Sequence, residues 1–413
     1  MTAAALPYAG TLSPPVTQAG HPAARWAVGF IAFLGAFVIR EPAPYELVLL
    51  VVMVVFLLFG LRLSRISITL ATLFLVFNIG GMISMFTMPA YKTVPLYLAV
   101  SLFLGLSSVF WCAVVEADMG RLRTIMRGYV AGATITALLG IGGYFGAFPG
   151  ASLFTLYDRA MGAFQDPNVF GPFLVLPAVY LIHGLLYRGG ILTPVRAAIL
   201  LILVAAIFLS FSRAAWGLLL IAGLGYYVLA LATERDAKMK LRLVVLGGLG
   251  IAAAVLALVV ALQFEAVSSM FDQRARVVQD YDGANLGRFA RHAIGFQWAL
   301  ENPLGIGPLE FGQILGEDTH NIWVKSLMAY GWLGFASYLT LTIATLIGGG
   351  RLLGRARPWK PFLHCVFVVY VGHIIVGWVI DIDHWRHAYL LIGLIWGMMA
   401  LESRWLTGRM QNT

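Results

Sequence analysis

The sequence predicts an all-α polytopic membrane protein: about 12 transmembrane helices, one long periplasmic loop and both termini in the cytoplasm. Three observations predict it. The 413 residues are 60% hydrophobic and only 11% charged, with a mean hydropathy of +0.85, whereas a soluble domain carries roughly twice that charge fraction. The apolar residues come in continuous runs, many close to the ~20 residues that span a bilayer as a helix. Basic residues fall unevenly between alternate loops. The runs lack the two-residue alternation of a membrane barrel, and helices satisfy their own backbone hydrogen bonds in lipid.

Twelve apolar runs are legible, at 26–39, 45–61, 66–86, 94–115, 126–148, 169–187, 195–211, 214–233, 241–263, 321–348, 361–380 and 387–403. The first, between Arg25 and Arg40, is short for a span. Ser210-Phe211-Ser212-Arg213 divides what would otherwise be one very long helix into a hairpin. The organisation is therefore a cytoplasmic tail (1–25), helices 1–9 (26–263), a periplasmic loop (264–320), helices 10–12 (321–403) and a second cytoplasmic tail (404–413). The first tail is small, polar and Pro-containing, with no basic residue ahead of an apolar core, unlike a cleavable signal peptide.

With the N-terminus inside, 18 of the 28 Lys and Arg residues fall on the cytoplasmic side, and 14 of the 19 acidic residues fall outside. Cytoplasmic loops are the basic ones, so the long loop faces out. The same distribution accounts for the net charge of +9 without a nucleic-acid partner, because the charge forms no patch. Cys112 and Cys365 support neither a disulfide nor a thiolate metal site. There is no Walker signature, which excludes chemistry driven by cytoplasmic ATP, and no internal repeat of the inverted-transporter kind.

Polar residues concentrate on the external segments. Asp166-Pro167-Asn168 has the composition of a helix cap, and Arg159 and Asn168 there are candidates for lining a polar pocket. Arg213 stands between two apolar helices, where an arginine is an interfacial anchor or holds an anion. In the long loop, 264–282 reads as a helix along the membrane surface. After it, Arg288 and Arg291 are three apart and share a helix face. Asn302-Pro303 stops that helix and Gly305-Ile306-Gly307-Pro308 turns the chain.

His320 stands where the chain re-enters the apolar phase. An imidazole of ordinary pKa ~6.5 can take a proton at neutral pH, with Asp318 or Glu317 placed to fix its tautomer. Asn321, Trp323 and Lys325 follow. The turn Asp381-Ile382-Asp383-His384-Trp385-Arg386-His387 reads as a charge-balanced hairpin lining a cavity, with Arg386 and His384 as substrate contacts; its spacing is weak evidence for metal.

These residues bring the chain to resemble the bacterial O-antigen ligase and O-antigen polymerase superfamily, membrane glycosyltransferases of the GT-C type. The carriers are Phe211-Ser212-Arg213-Ala214-Ala215-Trp216, Gly287-Arg288 leading into Glu301-Asn302-Pro303-Leu304-Gly305-Ile306-Gly307, and His320-Asn321 followed by Tyr330-Gly331-Trp332-Leu333-Gly334. Asp166-Pro167-Asn168 and Asp383-His384-Trp385-Arg386-His387 also fit. The likeness covers most of the chain and is most specific in its C-terminal half.

The resemblance implies a bacterial inner-membrane enzyme that works at the periplasmic face on an undecaprenyl-pyrophosphate-linked glycan, with the polyprenyl tail among the helices. Arg213 and Arg288 would hold the pyrophosphate, and His320 would orient or deprotonate the acceptor hydroxyl for inverting transfer. Arg159, Asn168, Arg291, Asn321, Arg386 and His384 would contact substrate, with no metal and no cofactor. The acceptor is the lipid A-core in a ligase and a second lipid-linked glycan in a polymerase. One long loop with a much shorter second one favours the ligase. A protein O-oligosaccharyltransferase would share the chemistry. A transporter would share the topology, but alternating access places its site near the membrane midplane.

Overall fold

A computed structural model describes residues 22–91, 93–274 and 287–408. A helix lies over each of the twelve apolar runs. They are α1 (Pro22–Leu34), α2 (Pro44–Leu58), α3 (Arg65–Met85), α4 (Val94–Ala117), α5 (Gly120–Tyr144), the pair α6 (Pro167–Phe173) and α7 (Val175–Tyr187), α8 (Thr193–Leu209), α9 (Arg213–Thr233) and α10 (Ala237–Ala261). The loop from 264 to 320 adds α11 (Glu265–Arg274), α12 (Arg288–Glu301) and α13 (Glu310–Leu315). It is followed by α14 (Ile322–Gly350), α15 (Lys360–Val376) and α16 (Arg386–Leu406).

Among the described residues, seven helices are long and apolar enough to cross a membrane, and α1, α2, α8 and α15 are shorter apolar helices. The expected surface helix at 264–282 is helical to Arg274; residues 275–282 lie outside the described residues.

The helix ends follow from side chains that accept the free amides of a first turn. Ser64 accepts from Ser67, Asp166 from Asn168 at 2.6 Å, Ser212 from Ala215, and Asp236 from Lys238 and Met239. Replacing Asp166 by alanine is expected to destabilise the protein by about 1 kcal/mol through loss of that cap, measurable as a lower thermal midpoint in detergent.

Backbones approach closely where small residues face each other, as expected for helices whose association in lipid rests on packing. A Cβ on Gly80 of α3 would lie 2.6 Å from the Gly334 nitrogen of α14, and one on Gly393 of α16 would lie 2.5 Å from the Ser108 carbonyl of α4.

Long-range contacts sort the loops by end. At one end the Val38 amide donates to the Ala163 carbonyl, Arg159 reaches Ser210, Thr87 reaches Gly305, Tyr97 reaches Asp383, and Arg386 pairs with Glu41 and Glu46. These join all six segments expected outside. At the other end Arg25 pairs with Asp118, Arg404 donates to the Glu116 carbonyl, and Arg355 and Arg357 enclose Glu402. The six segments expected outside thus meet one another at one end of the bundle.

Candidate functional site at the polar end of the bundle

The first part of the site is the break between α8 and α9. Phe211 takes a positive φ of 45°, a conformation costly for a bulky residue, and Ser212 then caps α9. The Trp216 indole turns back and donates to the Ile207 and Phe208 carbonyls, both at 3.2 Å, beside the Ser210 hydroxyl and the Phe211 amide that reach the same two carbonyls. A Cβ on Gly171 would lie 2.6 Å from that of Ala215, so α6 packs tightly on the break. Arg213 is thereby fixed as the first helical residue of α9.

Arg159 comes from a two-residue hairpin, Thr155–Leu156 paired with Arg159–Ala160, whose turn residues Tyr157 and Asp158 have positive φ. Its guanidinium is buried, donating to the Ser210 carbonyl at 2.7 Å and to Asn168 Oδ1 at 2.8 Å. The structure therefore brings Arg159, Asn168 and the Arg213 turn together, with Arg159 holding the turn's backbone.

The second part is a clasp between two of the quoted motifs. α14 departs from helical geometry at Gly331, with φ 61° and ψ −177°, a region open essentially to glycine. The kink frees the Met328 carbonyl, which accepts from the Ile306 amide at 2.9 Å and the Gly307 amide at 3.3 Å. In return the Trp332 amide donates to the Pro303 carbonyl at 3.0 Å, and its indole to the Ala299 carbonyl at 2.9 Å. The stretch 303–307 is a backbone bracket that docks α12 onto the first half of α14, where Ala299, Phe311, Val324, Leu327 and Met328 form a small core.

That docking sets the third part, around His320. His292 of α12 hydrogen-bonds the Thr319 backbone, and Arg291 is ion-paired with Glu317. His320 itself has a positive φ of 51° and is half-buried. Asn321 is buried and its carboxamide oxygen is spent on capping α14, accepting from Trp323 at 3.0 Å and Val324 at 3.2 Å. Burial pulls His320 below the usual imidazole pKa. Arg288 pulls it further, with a smaller push from Lys325, while Glu317 and Asp318 partly offset them. His292 is lowered as well, by burial first and then by Arg288, against its bond to Thr319. His320 is thus held in its neutral form at pH 7, within electrostatic reach of the Arg288 guanidinium.

The fourth part was only partly legible. Sequence reading gave Asp318 or Glu317 the task of orienting His320. In the structure Glu317 is taken by Arg291 and Asp318 by Lys325, with Nζ to Oδ2 at 3.0 Å. The carboxylate nearest His320 is Asp381, 3.8 Å from Nδ1. Lys325 also lies 3.4 Å from Asp381 and 3.5 Å from Asp383. Tyr97 donates to Asp383, and His384 lies 3.0 Å from the same carboxylate, with its Nε2 3.3 Å from the Tyr97 carbonyl.

Burial pushes the Asp381 carboxyl up, against the pull of Lys325. Asp383 is buried too, yet Lys325, His384 and Tyr97 outweigh burial and hold it well below the usual carboxylate range. Arg386 is turned to Glu41 and Glu46. Lys325, Tyr97 and His292 were not singled out as site residues; the signal for Lys325 was a lysine inside an apolar run, which lipid tolerates only when it is paired.

No curated protein matches this chain. Residues 198–339, about a third of the chain, match the family described as O-Antigen ligase. The matched stretch contains the α8–α9 break, α12, the clasp and His320, and it identifies this segment as a member of the O-antigen ligase and polymerase superfamily.

Proposed function

We propose that the protein is an O-antigen ligase-type glycosyltransferase. It moves an undecaprenyl-pyrophosphate-linked glycan onto the lipid A-core at the periplasmic face of the bacterial inner membrane, through twelve crossings with both termini inside. The single observation that carries this is that the segment similar to the O-antigen ligase family ends its external loop on a half-buried His320, 3.8 Å from the Asp381 carboxylate. His320 takes the proton of the acceptor hydroxyl as its oxygen attacks the anomeric carbon. The bond from the anomeric carbon to the phosphate oxygen breaks on the opposite face, giving inversion, and the lipid pyrophosphate leaves with that oxygen as an anion.

Arg288 and Arg213 stabilise that leaving charge, which grows in the transition state and is what fixed cations serve best. Arg159 and Asn168 hold the turn that carries Arg213. Arg291, Asn321, Arg386 and His384 support the walls through the partners described above.

The test is transfer by purified protein from an undecaprenyl-pyrophosphate glycan to rough lipopolysaccharide, with and without EDTA. Glycan on the lipid A-core that survives EDTA supports the ligase without a divalent ion. Elongated glycan on the carrier lipid, with the core untouched, replaces it by the polymerase. No new glycosidic bond with either acceptor removes both the ligase and the polymerase reading, in favour of a transporter or a protein glycosylation enzyme.

A pH prediction follows from the Arg288–His320 pair. Because the imidazole pKa is lowered, transfer is expected to hold at mildly acidic pH and fall only as pH drops through that lowered value. Arg288→Gln removes a positive neighbour, so the His320 pKa rises and the acidic limb moves to higher pH. Rate against pH from about 4 to 8 measures it; an unmoved limb in the variant means that the two residues do not interact.

A further inference from the structure

The three aspartates near His320 converge on one point, and that point is occupied by the chain itself. Lys325 Nζ lies 3.0 Å from Asp318, 3.4 Å from Asp381 and 3.5 Å from Asp383, and 5.8 Å from the centre of the Tyr97 ring. The carboxylates come from two separate segments, the end of the long loop and the last polar turn. Lys325 is buried, on the second turn of α14. Carboxylates gathered in a poorly solvated place repel one another and need a cation between them. Oxygen donors of this kind are also the ones that hard divalent ions take.

The ammonium stands at hydrogen-bond and ion-pair distances, longer than the ~2.3–2.6 Å of a calcium–oxygen bond. Among the described residues no group of three or more His, Cys, Asp or Glu is placed to hold a metal ion.

We propose that Lys325 is a tethered cation which takes the place of a divalent ion in this site and, by holding Asp381, positions the carboxylate that faces His320. This deepens the glycosyltransferase reading and rests on it for its catalytic part only. Lys325 touches no reacting atom in this account; it is a positioning residue acting through Asp381. The arrangement has a chemical consequence: a covalently tethered ammonium cannot be chelated or exchanged, and its charge is present in every molecule. If the side chain is cut back, Asp318, Asp381 and Asp383 are left facing a hole of about the right polarity for an ion. Closing inward by about 1 Å would bring them to metal–oxygen distance.

The experiment uses the full-length protein in nanodiscs and Lys325→Ala, with Mn²⁺ alone as the probe, read by the electron paramagnetic resonance signal of the free ion. The expected result is that Lys325→Ala removes free Mn²⁺ and the wild type does not. In EDTA, glycan transfer by the variant is expected to fall about 10–100-fold, the size typical of losing a group that orients a reacting one. Transfer should recover on adding Mn²⁺, while the wild type is indifferent to both. A variant that is folded and binds no Mn²⁺ overturns the proposal. So does one that transfers at the wild-type rate in EDTA, or one that binds Mn²⁺ without recovering transfer, since lost stability alone is not restored at the reacting group by an ion.

Mn²⁺ binding is read without any sugar present, so an inactive wild type counts against the proposed function and not against the tethered cation. Should Lys325→Ala fail to accumulate, Lys325→Gln combined with Asp383→Asn keeps the net charge of the cluster. It leaves Asp318 and Asp381 to bind, and the same outcomes decide.

Discussion

Asparagine in place of His320 is expected to reduce glycan transfer by about 10²–10⁴-fold, the contribution of one positioned general base, with the thermal midpoint little changed. Asparagine is the informative choice because His320 sits at φ 51°. Asparagine tolerates that conformation better than most residues, so the loss reports the missing base rather than backbone strain. The effect belongs in kcat more than in KM, since a base acts only as the proton moves. Donor binding, measured separately, should persist, because the proposed pyrophosphate contacts come from Arg213 and Arg288. Wild-type transfer by the asparagine variant would remove His320 from the chemistry and leave it a loop-end residue.

The second large effect is on stability. Alanine at Gly331 places a Cβ 2.7 Å from the Leu304 carbonyl oxygen and forces an L-residue into φ 61°, ψ −177°. Strain of this kind costs on the order of 1–3 kcal/mol before the clash is counted. The total is expected at about 2–4 kcal/mol, seen as a lower midpoint and as faster hydrogen exchange at the Ile306, Gly307 and Trp332 amides. The control is Gly217, where a Cβ meets nothing within 4 Å; alanine there should not destabilise. Equal effects at both positions would mean that the clasp contributes nothing of its own.

What the sequence discloses is local. The apolar runs become helices because backbone hydrogen bonding in lipid leaves little choice. Asp166, Ser212 and Asn321 cap because their oxygens sit one residue ahead of the first helical residue. The 210–213 break is visible as two serines and an arginine in otherwise unbroken hydrophobicity. His320 stands out in the same way, as an ionisable residue where the chain re-enters an apolar run.

What stayed hidden depends on distance along the chain. Lys325 and Asp381 are 56 residues apart, and no periodicity connects them. Without that contact the tautomer of His320 was assigned to the carboxylates nearest in sequence, both already claimed by other cations. The run 321–348 reads as one uniform helix, and the kink at Gly331 is invisible because glycine is common in membrane helices and rarely signals a break there.

The clasp has a consequence for how such chains can vary. The Met328 carbonyl is available to Ile306 and Gly307 only because α14 bends three residues later, and the Pro303 carbonyl is reached only because Trp332 resumes the helix on the far side. Each half supplies the other's backbone partners. A chain that straightens this helix at position 331 should also abandon the glycines at 305 and 307, and one that rebuilds the loop should lose the bend. The two motifs should drift as a pair, legible as covariation between positions 305, 307 and 331.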